Sequence, residues 1–167
     1  MIINLKIVRV NSDYCDYLRE YDNRVSYNKY EKELRPFIGI LFQIDTCEYF
    51  APLSSPKPKH INMKNTVDFV SFSYYSSRVS SSDLSKGDGE LGAVNFNNMI
   101  PVKEKYYTLV DLNKETLTIA ELKYQKLLQE QLSWLNANYH QVKNKSLKLY
   151  KLYNNNRLPQ NIKARCC

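Results

Sequence analysis

The residues best suited to chemistry lie in one short stretch, residues 51–60, with the sequence APLSSPKPKH. It contains two serines, two lysines and a histidine, and three prolines that keep the backbone extended and out of a helix. Hydroxyls and cations on a stiff loop beside a strand could hold a phosphate. Taken alone, a Ser-Pro-Lys-Pro-Lys sequence is more typical of a solvated turn than of an active site.

Other common catalytic patterns are missing from the sequence. GxxxxGK[ST], GxGxxG and GxSxG are all absent, and the chain has only four glycines. The two histidines, His60 and His140, are far apart, the carboxylates are scattered and the cysteines form no CxxC pair, so no metal site is expected. What remains is metal-free chemistry on a phosphodiester, or plain binding. The 2′-hydroxyl of RNA can attack its own phosphate if a site aligns it and offsets the developing charge.

The net charge of +7 favours an anionic partner. Residues 143–167 contain seven basic residues and no acidic one, so the net charge of this segment equals that of the whole chain. Fourteen tyrosines add rings that can stack on bases. An RNA-binding surface and a plain solvated helix both fit this pattern. The seven basic residues are Lys143, Lys145, Lys148, Lys151, Arg157, Lys163 and Arg165.

The order of the predicted elements indicates a single α+β domain over residues 1–167, with a twisted antiparallel sheet and a helical, basic C-terminal segment at 118–153. Ser12 is the predicted N-cap of a short helix at 13–22, and an apolar stripe predicts helices at 118–138 and 141–153. A serine-rich loop is predicted at 71–85. The predicted strands are 2–10, 37–44, 48–53, 67–72, 91–96, 99–102 and 106–110.

The location expected from the sequence is the cytoplasm. The N-terminus lacks the long apolar region of a signal peptide, and the longest apolar run, residues 37–42, is too short to span a membrane. The cysteine pattern is typical of free thiols in a reducing compartment.

Three blocks of the sequence are distinctive motifs. They are residues 35–40 (RPFIGI), 49–57 (YFAPLSSPK) and 93–102 (AVNFNNMIPV). In order and spacing they closely resemble the ToxN/AbiQ family, the endoribonuclease toxins of type III toxin–antitoxin systems, many of them active in phage abortive infection. The resemblance runs from the N-terminus into residues 128–134. The wording of the second and third blocks is closer to AbiQ than to the founding ToxN.

The resemblance implies a strongly twisted antiparallel sheet of the MazF/Kid barrel type with surrounding helices. It implies cleavage of adenine-rich RNA without a metal or cofactor, leaving 2′,3′-cyclic phosphate and 5′-hydroxyl ends in messenger or phage RNA. It also implies a partner, a small repeated antitoxin RNA that folds as a pseudoknot. The toxin cuts this RNA from its precursor and then holds it in a ring of alternating protein and RNA.

The resemblance further implies a set of catalytic residues. Ser55 is the catalytic hydroxyl of the motif, Ser54 keeps a second hydroxyl beside it, and Lys57 is the motif lysine. Arg35 takes the place of the family's basic residue before the strand. It is expected to stabilise the phosphate, because a guanidinium cannot act as a base at neutral pH. A tyrosine a few residues upstream, Tyr30 in preference to Tyr27, is expected to position the substrate.

Further residues are expected to contact RNA on the strength of their charge or their place in the loop. A competing hypothesis is a non-catalytic RNA-binding or regulatory module, which would share the charge and the tyrosines but would not require Ser55 or Lys57. The residues expected to contact RNA are Lys59, His60, Lys64, Lys145, Lys148 and Lys151.

Overall fold

A computed structural model describes residues 4–26, 35–73 and 89–167. These residues form an α+β fold with eight strands and four α-helices. The strands are β1 (Lys6–Val10), β2 (Phe37–Gly39), β3 (Gln43–Ile44), β4 (Cys47–Ser54), β5 (Phe69–Ser73), β6 (Glu90–Asn95), β7 (Ile100–Val102) and β8 (Tyr107–Leu109). The helices are α1 (Ser12–Tyr21), α2 (Ile119–Ala137), α3 (Tyr139–Asn154) and α4 (Gln160–Lys163).

Strand β4 is the centre of the sheet. The strands run in the order β5-β6-β4-β2-β1-β8, and β3 and β7 pair with the first half of β4. The second half of β4, which ends at Ser54, lies between β2 and β6. All pairings between the described strands are antiparallel, as predicted, and their order is that of an open sheet. Closure into a barrel of the MazF/Kid type stays a prediction.

The strand predicted at 37–44 is two strands in the structure. Strand β2 places Ile38 opposite Ala51, whereas β3 places Gln43 opposite Glu48. Had the first register continued, residue 41 would face Glu48, so two extra residues separate β2 from β3. An apolar run shows that a segment is buried, but it contains no signal for a change of register.

The first helix has a different N-cap from the one predicted. The Asn11 side chain accepts hydrogen bonds from the backbone N–H groups of Asp13 (2.9 Å) and Tyr14 (3.2 Å), and Ser12 is the first helical residue. Either residue type can cap a helix. The Asn11 N–H donates a hydrogen bond to the Tyr106 carbonyl, which fixes Asn11 beside the sheet. The helix therefore begins directly after Asn11, and Asn11 is its cap.

The two long helices pack on the sheet as the apolar stripe predicts. Leu128 and Leu135 of α2 and Val142 and Leu149 of α3 are buried in the main core. Burying a leucine side chain contributes about 2 kcal/mol. In α2, Thr118 and Glu121 form a reciprocal capping box at the N-terminus, and the predicted helix at 118–138 is confirmed. The second helix begins earlier than predicted, at residue 139.

The serine-rich loop predicted at 71–85 overlaps the end of β5, and from residue 74 it lies outside the described residues. Among the helices of the described ranges, none has the length and apolar character needed to cross a lipid bilayer.

Candidate functional site

The three distinctive sequence blocks are neighbours in the sheet. The second block forms β4, the first forms β2 on one side of it, and the third forms β6, a short turn and β7 on the other side. Because all three meet at the second half of β4, residues that are about forty positions apart in sequence converge at the strand's end. This end is the candidate active site.

Arg35 lies beside the end of β4. The β2–β4 register pairs Phe37 with Pro52, and the Leu53 N–H donates to the Pro36 carbonyl at 2.9 Å. Continuing this antiparallel register places Arg35 opposite Ser54. Arg35 is half-buried, and burial lowers the pKa of its guanidinium. The group nevertheless keeps its charge at neutral pH, because the ordinary arginine pKa is so high.

Ser54 accepts hydrogen bonds from two side-chain amides. Its hydroxyl accepts a hydrogen bond from Asn95 Nδ2 at 3.1 Å, and its backbone carbonyl accepts one from Gln131 Nε2 at 3.2 Å. Asn95 ends β6, and Gln131 lies in the middle of α2. The orientation of Ser54 is therefore set by two elements outside its own strand.

The chain leaves the sheet directly after Ser54. Ser55 and Lys57 are exposed, and Lys57 has extended backbone angles. A 3₁₀ turn at Pro58–Asn62 follows, in which the His60 N–H donates to the Lys57 carbonyl at 2.8 Å. The loop thus presents the Ser55 side chain and two exposed lysines, Lys57 and Lys59, at the end of the sheet where Arg35 precedes β2. Such a group can bind a phosphodiester and offset negative charge on it.

His60 does not share this exposed surface. Its side chain is 3% exposed, and its ring packs 5.8 Å from the ring of Phe69. Burial, followed by the charges of Lys59 and Lys57, lowers the pKa of the imidazole, which is therefore neutral at pH 7. This placement argues against the expected direct contact with RNA, because the ring lies beneath the loop. A single histidine in a turn contains no sequence signal for its burial.

Tyr30, expected to position the substrate, lies outside the described residues. The described ranges contain no cluster of histidine, cysteine and acidic residues that could hold a metal ion.

The basic residues predicted to contact RNA fall into two groups. Lys64, Lys148 and Lys151 are exposed, the last two on the solvent face of α3. Lys145 lies one turn before Lys148, next to the buried Ser146, and is half-buried. Burial lowers its pKa, and the charge of nearby Asp68 partly offsets this effect. The exposed lysines are available to an anionic partner, whereas Lys145 is directed toward the protein.

Arg165, one of the seven C-terminal basic residues, has a structural role. Its Nε lies 2.6 Å from Oδ2 of Asp68, a carboxylate that is almost fully buried and that also accepts a hydrogen bond from the Thr66 hydroxyl. Burial on its own raises the pKa of Asp68, but the hydrogen bonds from Arg165 and Thr66 outweigh burial and lower it overall. The ion pair joins the C-terminal segment to the start of β5.

Two residues of the site were missed by sequence reasoning. Asn95 belongs to the third block, but nothing local distinguishes it from the other asparagines there. Gln131 offers a clearer signal, because it is a polar residue at helical spacing between Leu128 and Leu135 on the buried stripe of α2. A polar residue in such a position needs hydrogen-bond partners.

Comparison with known proteins identifies relatives over almost the whole chain. Residues 6–167 match the family model of the toxin ToxN of type III toxin–antitoxin systems. Endoribonuclease ToxN from Bacillus thuringiensis subsp. kurstaki is 34% identical over 148 residues, which are 89% of this chain and 68% of that protein. Endoribonuclease AbiQ from Lactococcus lactis subsp. lactis is 26% identical over 153 residues, 89% of this chain and 75% of that protein.

A solved structure of a type III toxin–antitoxin system, in which the toxin is inhibited by a non-coding RNA pseudoknot, is also similar. It superimposes with a TM-score of 0.75 and 31% identity, covering 99% of this chain and 91% of that chain. Over the whole aligned length, identity to the Bacillus ToxN is higher than identity to AbiQ; the resemblance to AbiQ concerns two short motifs only.

Proposed function

We propose that this chain, which belongs to the ToxN family of type III toxin–antitoxin systems, is an endoribonuclease toxin that needs neither a metal nor a cofactor. One observation carries the proposal. Ser54 is held by Asn95 and Gln131 at the end of β4, where the β2–β4 register places Arg35 opposite it, and the exposed Ser55 follows directly. The names of the relatives support the same activity.

The proposed reaction is an intramolecular phosphoryl transfer. The 2′-oxygen of the RNA attacks the adjacent phosphorus and loses its proton, while the 5′-oxygen leaves and gains one. The products are a 2′,3′-cyclic phosphate and a 5′-hydroxyl. Arg35 and Lys57 offset the charge of the pentacoordinate phosphate, Ser54 and Ser55 orient its oxygens or relay a proton, and Tyr30 positions the substrate.

The proposed partner is a small repeated antitoxin RNA that folds as a pseudoknot, and the toxin cuts it from its precursor. The similar toxin–RNA structure supports this partner, and so do the exposed lysines of the loop and of α3. Toxin and antitoxin RNA would assemble as a closed ring, and toxin free of antitoxin would cleave adenine-rich messenger or phage RNA in the cytoplasm.

The test is cleavage of an adenine-rich oligoribonucleotide by the purified protein in excess EDTA, followed by mapping of the product ends. We expect 2′,3′-cyclic phosphate and 5′-hydroxyl ends. Cleavage that EDTA abolishes, or products with 5′-phosphate ends, would contradict the mechanism. Binding that protects the RNA from added nuclease without cutting it would instead support a non-catalytic RNA-binding module.

A further inference from the structure

Gln131 is a buried polar side chain with a specific pair of partners. It is 1% exposed, although it lies on the face of α2 that packs on the sheet. Its Nε2 donates to the Leu91 carbonyl at 2.6 Å and to the Ser54 carbonyl at 3.2 Å. A side-chain amide has two N–H groups, so each carbonyl receives one of them. The helix is therefore tied to two strands by a single side chain.

These two carbonyls lie where β4 separates from β6. The pairing between the two strands includes Leu53 with Val94 and Ser54 with Ala93, and it ends there. Beyond this point the Ser54 carbonyl belongs to the peptide group that leads into Ser55. A hydrogen bond to this carbonyl therefore sets the plane of the Ser54–Ser55 peptide, and with it the direction in which Ser55 leaves the sheet.

Gly92 makes room for this contact. A Cβ atom at Gly92 would overlap both the Ser54 carbonyl oxygen and Gln131 Nε2, and the φ of Gly92 is +148°, a value that side chains rarely permit. The backbone of β6, the amide of α2 and the end of β4 thus meet at one crowded point. A close approach of this kind restricts how far the Ser54 carbonyl can turn.

Packing alone gives no reason for a glutamine here. The neighbours on the same stripe, Leu128 and Leu135, are apolar, and an apolar residue of similar length would fill the space. Burying an amide is unfavourable unless it is hydrogen-bonded. The contribution of Gln131 therefore comes from its hydrogen bonds to the Leu91 and Ser54 carbonyls.

We propose that Gln131 is a positioning residue, which orients the Ser54–Ser55 peptide and through it the Ser55 hydroxyl toward the RNA phosphate. This role rests on the proposed nuclease activity of the same site. Gln131 touches no substrate atom itself. Together with Asn95, which holds the Ser54 hydroxyl from the other strand, it keeps the end of β4 in one conformation before RNA binds.

The experiment compares two substitutions on the same helix. Gln131→Met keeps the length of the side chain and removes both hydrogen bonds. Asn136→Leu is the matched control, because the Asn136 amide also makes two hydrogen bonds to one backbone position, the N–H (2.7 Å) and carbonyl (3.3 Å) of Leu5, on the β1 side of the sheet. Both variants are assayed with an adenine-rich oligoribonucleotide at a temperature where circular dichroism shows that they are folded.

We expect Gln131→Met to lower kcat about tenfold or more with little change in KM, because a small misplacement of a catalytic group is costly. Asn136→Leu should lower the thermal midpoint but leave kcat near the wild-type value. If Gln131→Met does not fold, the test uses Gln131→Asn, which keeps the amide but on a shorter side chain. The kcat of this variant should also fall.

Wild-type kcat in either folded Gln131 variant would overturn the positioning role while leaving the nuclease activity intact. Equal losses of kcat in Gln131→Met and Asn136→Leu would also overturn it, since they would indicate general destabilisation. Absence of cleavage by the wild-type protein would overturn the proposed function, and the role of Gln131 with it.

Discussion

The end of β4 and the solvent face of α3 both present polar groups at the protein surface, but they hold them differently. At the end of β4, Ser54 is bonded through its hydroxyl to Asn95 and through its carbonyl to Gln131. On α3, Lys148 and Lys151 carry their charges on long, exposed side chains. The end of β4 holds its polar groups in fixed positions, whereas α3 supplies positive charge on mobile side chains.

This difference follows from the distance over which each effect acts. Phosphoryl transfer requires groups placed within a fraction of an ångström, so the supporting hydrogen bonds matter. Electrostatic attraction to a phosphate backbone decays over about 10 Å at moderate salt and tolerates mobile side chains. Substitutions at the end of β4 should therefore change kcat, and substitutions on α3 should change affinity.

The largest effect is expected for Ser55→Ala, measured as single-turnover cleavage of an adenine-rich oligoribonucleotide. Removing the hydroxyl should slow cleavage by about 10²- to 10⁴-fold, the range of a group that handles a proton in the transition state. RNA affinity should remain, since most contacts are to phosphates elsewhere. Ser133→Ala, an exposed serine on α2, is the matched control. Wild-type cleavage by Ser55→Ala would remove Ser55 from the mechanism.

A smaller effect is expected for Arg35→Ala. Removing a cation that offsets transition-state charge should lower kcat about 10²-fold, comparable to the removal of an oxyanion-hole donor. Arg35→Lys should recover only part of the activity, because a lysine keeps the charge but not the planar, two-pronged donor set. The kcat values of the two variants are compared at saturating RNA. An unchanged kcat with a raised KM would assign Arg35 to binding alone.

The third expectation concerns affinity alone. The double substitution Lys148→Ala and Lys151→Ala should weaken RNA binding. It should also reduce the salt dependence of the dissociation constant by about 0.7 log unit per log unit of salt for each RNA phosphate that the lysines no longer neutralise. The kcat should not change. Lys123→Ala with Lys126→Ala, exposed on α2, is the control pair. A fall in kcat with unchanged salt dependence would contradict the assignment of α3 to affinity and of the end of β4 to catalysis.

The smallest effect, on stability rather than cleavage, involves His60. Its pKa lies below the ordinary value of 6.5 because the ring is buried and lies near Lys59 and Lys57. As the pH falls below about 6.5, the unfolded chain takes up the proton more readily than the folded protein, so the free energy of unfolding should decrease. Urea denaturation at pH 7 and pH 5 measures this decrease.

His60→Phe, which keeps a ring against Phe69, should flatten this pH dependence. His140→Phe, on the exposed surface of α3, should not. The same slope in both variants as in the wild type would assign the pH dependence to groups other than His60.

Much of the fold and part of the site could be predicted from the sequence. The helical stripe through Leu128 and Leu135 is a local pattern, and the helix it predicts is confirmed. The end of β4 was predicted to within one residue, because a run of consecutive apolar residues gives way to Ser54 and then Pro56. The break between β2 and β3 could not be predicted, since it depends on which residues of β4 they face.

By itself, the sequence determined which residue types are present and their local order: hydroxyls and cations after a strand, an apolar face on a helix, and a basic C-terminal segment. Only the tertiary structure decided which groups act together. Gln131 reaches Ser54 across 77 positions of the chain, and Arg165 pairs with Asp68 across 97. Such contacts depend on how a helix and several strands are packed, so no local pattern records them, and the end of β4 owes its orientation to them.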